Sequence, residues 1–333
     1  MRVKNDAEQE VHLMKRLARR CVALNMGIVA VLFAGCGALR QAQDDMQPPV
    51  AVPGAMAHAS WMLPNVERRN LLYVAQSGDG VSVYTYPGGR LVGSLGAFGG
   101  PFLCSDPTGN VFVPGGPIAT QVSIYAHGAA QPTEILNSPY TAWGCSVDPS
   151  SERLAVTTYY QNTIVVFPYD NRHGWHFAKT FTDAAMEYIA FCAYDTNGNL
   201  FVDGVDTHGF SLAELAKGSD VFTAITLDKR ISAPGSMQWD GKYLALADYG
   251  ASSGEASTIY RFALNGTSGK NVSKTKLESS SSGVQFLIEG ATVIGPMSKL
   301  STRSIGFWRF PKGGQPVKSF SADQASGEAV SLK

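Results

Sequence analysis

Charge imbalance is the first thing this chain lacks. Its 333 residues carry 27 Lys and Arg against 27 Asp and Glu, so the formal net charge is zero. No electrostatic case for nucleic acid exists in such a balance. Charged residues make up only 16% of the chain, and helix-favouring residues are sparse after residue 70. Hydrophobic runs are short as well. Val22 to Phe33 is the main one, and it falls below the roughly 20 residues that span a bilayer. Catalytic signatures are missing too: there is no Gly-x-Ser-x-Gly elbow, no phosphate-binding Walker loop and no His-Glu-x-x-His helix. Gly266-Thr-Ser-Gly-Lys270 has the wrong spacing for a phosphate loop and reads as a surface turn.

What is present is a repeat. Short strand signatures recur about every 45 residues, a period typical of propeller blades. One half reads Val81-Ser-Val-Tyr-Thr-Tyr-Pro87, Val122-Ser-Ile-Tyr125, Ile164-Val-Val-Phe-Pro-Tyr169, Ile259-Tyr-Arg-Phe262 and Gly306-Phe-Trp-Arg-Phe-Pro311. The other half is an apolar strand, an Asp, a turn and a second strand, as in Phe102 to Val113, Gly144 to Val156, Phe191 to Val202 and Met237 to Leu246. The fold class is therefore all-β, a six-bladed β-propeller over residues 67–333. Inner strands are expected around Leu103, Ser146, Ala193, Met237, Phe286 and Val330. The ring is expected to close by pairing Ala329–Leu332 with Leu71–Ala75, which covers two edges that an open sheet would expose. Ser211 to Lys217 has a helical flavour, so blade four is the most degenerate.

The N-terminus reads as a signal. Lys15, Arg16, Arg19 and Arg20 form a basic cluster, an apolar stretch follows, and Phe33-Ala-Gly-Cys36 resembles a bacterial lipobox. Residues 1–35 are thus a signal peptide whose start lies at Met1 or Met14, and Cys36 is the expected lipidation site. Gly37 stands where Asp would favour inner-membrane retention, so the outer membrane is expected, with an extracytoplasmic body. Residues 36–66 read as a Gln-, Pro- and Ala-rich tether, able to range on the order of 30 Å. Two acyl signals suffice for stable membrane attachment.

Five cysteines occur in the chain, and Cys21 and Cys36 belong to the signal and anchor. Cys104, Cys145 and Cys192 fall near one point of three successive inner strands. Aligned on the following Asp, Cys104 is one residue out of register and is expected to face the other way. The three are read as small apolar residues packed where blades crowd the axis. The alternative is a disulfide or soft-metal site between neighbouring blades.

Propeller function usually lies on the face of variable loops. Tyr140, Trp143, Tyr159, Tyr160 and Tyr188 fall on one sector of that face and form a candidate ligand patch. Glu187, Asp203, Asp206 and Asp248 come from the same loop side. They are a weaker candidate for a calcium or other divalent-cation site, and no catalytic residue and no cofactor are expected apart from it. The Asp-x-x-Gly-Asn segments at Asp106–Asn110 and Asp195–Asn199 read as hairpin turns rather than calcium loops. His173-Gly-Trp-His176 reads as an exposed turn without a third metal ligand.

Leu72-Tyr-Val, Val83-Tyr-Thr-Tyr-Pro-Gly-Gly-Arg-Leu-Val-Gly93 and the Cys104-to-Val113 segment with its copies resemble NHL-like six-bladed propellers of the bacterial envelope. That resemblance covers residues 70–333. It also implies the fold of lactonase and gluconolactonase propellers, whose metal sits in the central channel on carboxylate and amide ligands. Those ligands have no residue-by-residue match here, so the activity is not carried over. Two functions remain as expectations. The first is a lipid-anchored binding scaffold with a monomeric body that engages a protein or glycan through its loop face. The alternative is a metal-dependent lactone hydrolase.

Overall fold

A computed structural model describes residues 59–333, apart from 77–79, 97–99, 116–119, 159, 178, 249–255, 282–284, 300–301 and 323. The signal segment, Cys36 and most of the tether therefore lie outside the described residues. The described chain folds into six blades of a β-propeller, antiparallel except for the short parallel pairing of Thr226–Leu227 with Ser268–Glu278 in blade five. Its only helical element is a single 3-10 turn at Val66–Arg68. Among the described residues no helix is long and apolar enough to cross a membrane.

Blade one runs, from rim to axis, through Trp61–Met62, Leu91–Leu95, Gly80–Thr85, Leu71–Gln76 and Ala325–Ser331. The expected closure is present, with Leu71 opposite Ser331, Leu72 opposite Val330 and Tyr73 opposite Ala329. One boundary is corrected. Trp61 and Met62 pair with Ser94 and Gly93 as a fifth strand, so the blade reaches into the segment read as tether. Both residues offer β-favouring or apolar side chains to an edge that would otherwise stay open.

The other innermost strands are Cys104–Ser105, Ala142–Val147, Tyr188–Tyr194, Met237–Trp239 and Leu287–Glu289. Together with Ala325–Ser331 they match the six expected inner segments. Ser211 to Leu215, read as helix-flavoured, is strand instead. It lies in Gly209–Leu215, paired residue for residue with Leu200–Asp206. The Leu-Ala-Glu-Leu-Ala pattern favours helix locally, but the neighbouring strand and burial of Leu212, Ala213 and Leu215 override it.

The inner hairpins form as their residues dictate. Asp106 Oδ1 accepts from the N–H of Thr108 and Asn110, each at 2.9 Å, and Gly109 turns the chain at φ 90°. Asp195 repeats this with Asn197 and Asn199. At the rim of blade three, Asp170 holds the turn through Arg172 and His173 N–H, and His173 and His176 are exposed there.

Among the described residues the strand ladders lie within blades, apart from isolated backbone bridges such as that between Leu277 and Gly314 at the junction of blades five and six; side chains join neighbours near the axis. Ser105 Oγ donates to Val330 O at 2.7 Å. Tyr194 N–H donates to Ser146 Oγ at 3.1 Å. Gln238 both donates to Ile288 O at 2.9 Å and accepts from its N–H at 2.7 Å. Gln285 receives the N–H of Leu103 and of Glu328 and donates to Leu103 O. It thereby joins blades six, one and two.

Glu328, on the closing strand, is the anomaly of the core. It is fully buried, and neither carboxyl oxygen has a hydrogen-bond partner. A Cβ at Gly295 would stand 4.0 Å from its Oε1 and 3.8 Å from Trp308, so Gly295 leaves room for both. Burial raises the Glu328 pKa well above the usual carboxylate range. Burial thus favours the protonated form of this group in the folded protein.

Two outcomes are expected. Deleting Ala329–Lys333 removes the partners of Leu71–Tyr73 and the Ser331 Oγ to Gly109 O bond. The full chain so truncated should melt about 10 °C or more lower, as read by circular dichroism; a loss of one or two degrees would contradict the closure. The second outcome concerns pH. Glu328 ionises near pH 4.3 when unfolded but only at higher pH when folded. Its contribution to stability is therefore full in acid and lost as pH rises toward the folded value. Glu328→Gln keeps the shape without the charge. It should be more stable than wild type at pH 8, on the order of a few kcal/mol, with the gap closing toward pH 4. Urea denaturation at several pH values reads this, and parallel profiles would refute it.

Candidate functional site

Each inner strand starts at the loop face and ends at an inner hairpin, so its first residues line the loop-side mouth of the axis. Blade two contributes Phe102, blade three Trp143, and blade four Tyr188 and Phe191. Phe102 sits edge-on to Trp143 with ring centroids 5.5 Å apart and packs on Phe191 at 4.7 Å. Tyr160 meets Tyr188 edge to face at 5.7 Å, and the residue is 65% exposed. Such edge-on pairs stabilise an aromatic cluster beyond simple burial. Tyr160 adopts a left-handed backbone, φ 51°, which turns its ring outward at a strain cost.

The five aromatics read from sequence therefore divide. Trp143, Tyr160 and Tyr188 stand at the loop face. Tyr140 instead packs on the apolar core between blades two and three. Tyr159 lies outside the described residues. Phe102 and Phe191 belong to the cluster and were missed. Their signal was the aromatic that opens two of the repeat copies, which was counted as strand core.

The four loop-side carboxylates are engaged separately. Asp203 lies within strand Leu200–Asp206, not in a loop as read. Its fully buried carboxylate accepts the N–H of Phe191 and of Gly235, each at 3.0 Å, and so ties blade four to blade five. Burial raises its pKa well above the usual range even though both N–H groups pull it down. Asp248 is buried and accepts from Ser232 and Ala233 N–H at 3.0 and 3.2 Å. Asp206 ends its strand and accepts from His208 N–H at 2.6 Å. Glu187 is exposed beside the cluster. Burial, with Tyr160, Asp203 and Glu187 adding to it, raises the Tyr188 pKa. Among the described residues no group of three or more His, Cys, Asp or Glu is placed to hold a metal ion.

The cysteines correct the apolar reading. Cys104 and Cys145 form a disulfide with Cα atoms 5.7 Å apart. The offset register is the cause. Cys104 and Cys145 both pack on the core between blades two and three, facing each other across it. Cys192 instead packs on the core between blades three and four and is a free, buried thiol. Burial, with the Asp203 charge adding, raises its pKa far above that of an exposed thiol.

Below the aromatics the axis opens into a cavity of about 450 Å³, within the range of small-molecule pockets. Its walls include both disulfide cysteines, Ser146, Gln238 and the inner hairpins at Asp106 and Asp195. Its mouth is on the hairpin face, opposite the face where function was expected. The described wall residues include Asp106, Asp195, Glu289 and Glu328 but no Lys, Arg or His.

No protein-family model matches the chain, and no curated protein does either. Solved structures share the fold. A propeller chain of a nidogen/laminin complex superposes with a TM-score of 0.60 at 14% identity, over 79% of this chain and 98% of that one. A putative 6-phosphogluconolactonase from Bacteroides fragilis superposes with a TM-score of 0.53 at 10% identity, over 81% of this chain and all of that one. Likeness at these identities establishes the six-bladed propeller alone.

Proposed function

We propose that this chain is a lipid-anchored extracytoplasmic binding scaffold that engages a protein or a glycan through its loop face. The observation that carries it is a pair of aromatic groupings, Phe102 with Trp143 and Phe191, and Tyr160 with Tyr188, contributed by three successive blades. Flat, rigid aromatic rings give contact area at little entropic cost, which suits stacking on sugar rings or anchoring a peptide. The carboxylates that a metal-dependent hydrolase would need are spent elsewhere. Asp203 and Asp248 each bind backbone N–H groups inside the ring. The neighbour named as a putative 6-phosphogluconolactonase supplies the second reading, lactone hydrolysis. For a phosphosugar, such a reaction calls for cationic groups at the pocket, and the described cavity wall offers none. The scaffold reading is therefore preferred. The anchor in this proposal rests on the Phe33-Ala-Gly-Cys36 pattern.

Two experiments test the two halves. Full-length protein in detergent, presented separately with envelope polysaccharide and with envelope protein, should bind one of them saturably. Trp143→Ala and Tyr160→Ala should each weaken that binding about tenfold, or ~1.4 kcal/mol. Tyr169→Ala, at the blade-three rim, should leave it unchanged. Loop-face variants that bind like wild type would overturn the assignment of the face. For the anchor, cells fed radiolabelled palmitate should label the wild type and not Cys36→Ser; label retained by the variant would refute lipidation.

A further inference from the structure

The axial cavity of about 450 Å³ has no part in the loop-face reading. Every inner strand runs from the loop face to a hairpin, so wall residues early in their strands lie deep and late ones lie at the mouth. Leu103, Gln285, Phe286 and Glu328 therefore form the deep end, and Asp106, Asp195, Glu289 and Leu332 stand at the mouth.

The carboxylates of this wall are used differently. Asp106 and Asp195 each accept backbone N–H groups of their own hairpins and the side-chain amide of Asn110 or Asn199. Glu289 is half-buried, and burial raises its pKa. Glu328 is fully buried, and neither of its oxygens has a hydrogen-bond partner. Trp239 Nε1, in the same wall, is also buried without a partner. Only one other described side chain, Ser273, carries such an atom. Two of three orphans thus border one cavity. Buried polar groups are nearly always paired, so this clustering marks a place that receives its partners from outside the chain.

The two orphans define what they would take. A carboxylate needs a donor, best a charged one, and an indole N–H needs an acceptor. The described wall holds no Lys, Arg or His, so positive charge has to arrive with the ligand. Four wall carboxylates disfavour an anion. Trp239 and Tyr194 add aromatic surface, which favours a cation.

We propose that the axial cavity binds a small aliphatic amino alcohol as its ammonium ion, taken in from the hairpin face, with Glu328 as counter-charge and Trp239 Nε1 donating to the hydroxyl oxygen. In the free protein burial favours the protonated form of Glu328. On binding, the carboxyl O–H bond breaks and its proton passes to solvent. The ammonium keeps all its protons and donates to the carboxylate so formed. Affinity therefore rises with pH until the folded pKa of Glu328 is passed. The other titratable groups of the wall are Asp106, Asp195, Glu289, Tyr194 and Cys192. Burial keeps Tyr194 and Cys192 protonated.

The test titrates full-length protein in detergent with 4-aminobutan-1-ol, and with butane-1,4-diol as its uncharged counterpart. Calorimetry at pH 6 in two buffers of different protonation enthalpy reads affinity and proton exchange together. The amino alcohol should bind saturably, one per chain, at least tenfold tighter than the diol, with net proton release. Absence of saturable binding, or a diol that binds equally well, would overturn the proposal. Protein labelled with 5-fluorotryptophan locates the site, with Trp239→Phe assigning the Trp239 resonance. That resonance should shift on binding, while those of Trp61 and Trp175, at the rim, should hold. Binding that leaves Trp239 unmoved lies elsewhere and would overturn the cavity assignment. Glu328→Gln should weaken binding at least tenfold and abolish proton release. Undiminished binding by the variant, or wild-type binding without proton release, would remove Glu328 as counter-charge; the second readout needs no variant to fold. None of these measurements involves the loop face, so failure there and failure here are distinguishable.

Discussion

Adjacent blades share no backbone ladder at the axis, and the structure depends on how that gap is bridged. Within a blade the strands pair continuously, and cooperative hydrogen bonding makes each sheet a unit. Between blades the inner strands meet mainly by packing and by reaching side chains, with an occasional backbone bond such as Gln285 N–H to Ser326 O at 3.2 Å. Every junction has one. Ser105 joins two to one, the disulfide joins two to three, Ser146 joins three to four, Asp203 joins four to five, Gln238 joins five to six, and Gln285 joins six to one. Some junctions have more, as where Arg153 reaches Gly198 O and Ser236 Oγ accepts from Phe286 N–H; a buried hydrogen bond lost at such a place leaves a group without a partner. The ring is a set of strong sheets held at the centre by a few specific contacts.

That division explains how the carboxylates are used. An acid near a propeller axis is easily read as a metal ligand. Here Asp203 and Asp248 serve as acceptors for backbone N–H groups that strand geometry leaves unpaired. Asp148 does similar work at a hairpin, accepting from Ser150 and from Arg153. Satisfying buried donors is an ordinary demand on any sheet protein. Glu328, by contrast with these buried carboxylates, satisfies none, and its burial favours the protonated form.

Legibility followed periodicity. Strand order, blade number and the Leu71–Ser331 closure were visible because the alternation of apolar residues repeats, and repeats report on local structure. The helical flavour of Ser211–Leu215 misled because propensity yields to the sheets on either side. Trp61–Met62 was missed because a two-residue strand carries no period. The Cys104 offset was read in the right direction. Its meaning required knowing that facing thiols on adjacent blades need opposite orientation, which one strand alone does not reveal. The aromatics were half legible as to position. Trp143, Tyr160 and Tyr188 lie near the starts of their strands on the loop side, while Tyr140 packs into the core because a residue two before a strand start turns inward. Asp203 was placed in a loop because an acid in mid-strand runs against composition.

The closing strand also sets a timetable for the polypeptide. Blades two to six pair segments that emerge from the ribosome one after another, so their sheets can form as the chain appears. Blade one cannot. Its Leu71–Gln76 edge waits for Ala325–Ser331, which is synthesised after the other five blades. Until then the first blade exposes an unpaired edge and an apolar face, a template for association with other chains. The cost of bringing such distant segments together grows only slowly with the length between them, but it falls due only after the other blades have formed. A nascent chain of this design thus depends most on chaperone protection at its first blade, and the arrival of the closing strand ends that dependence.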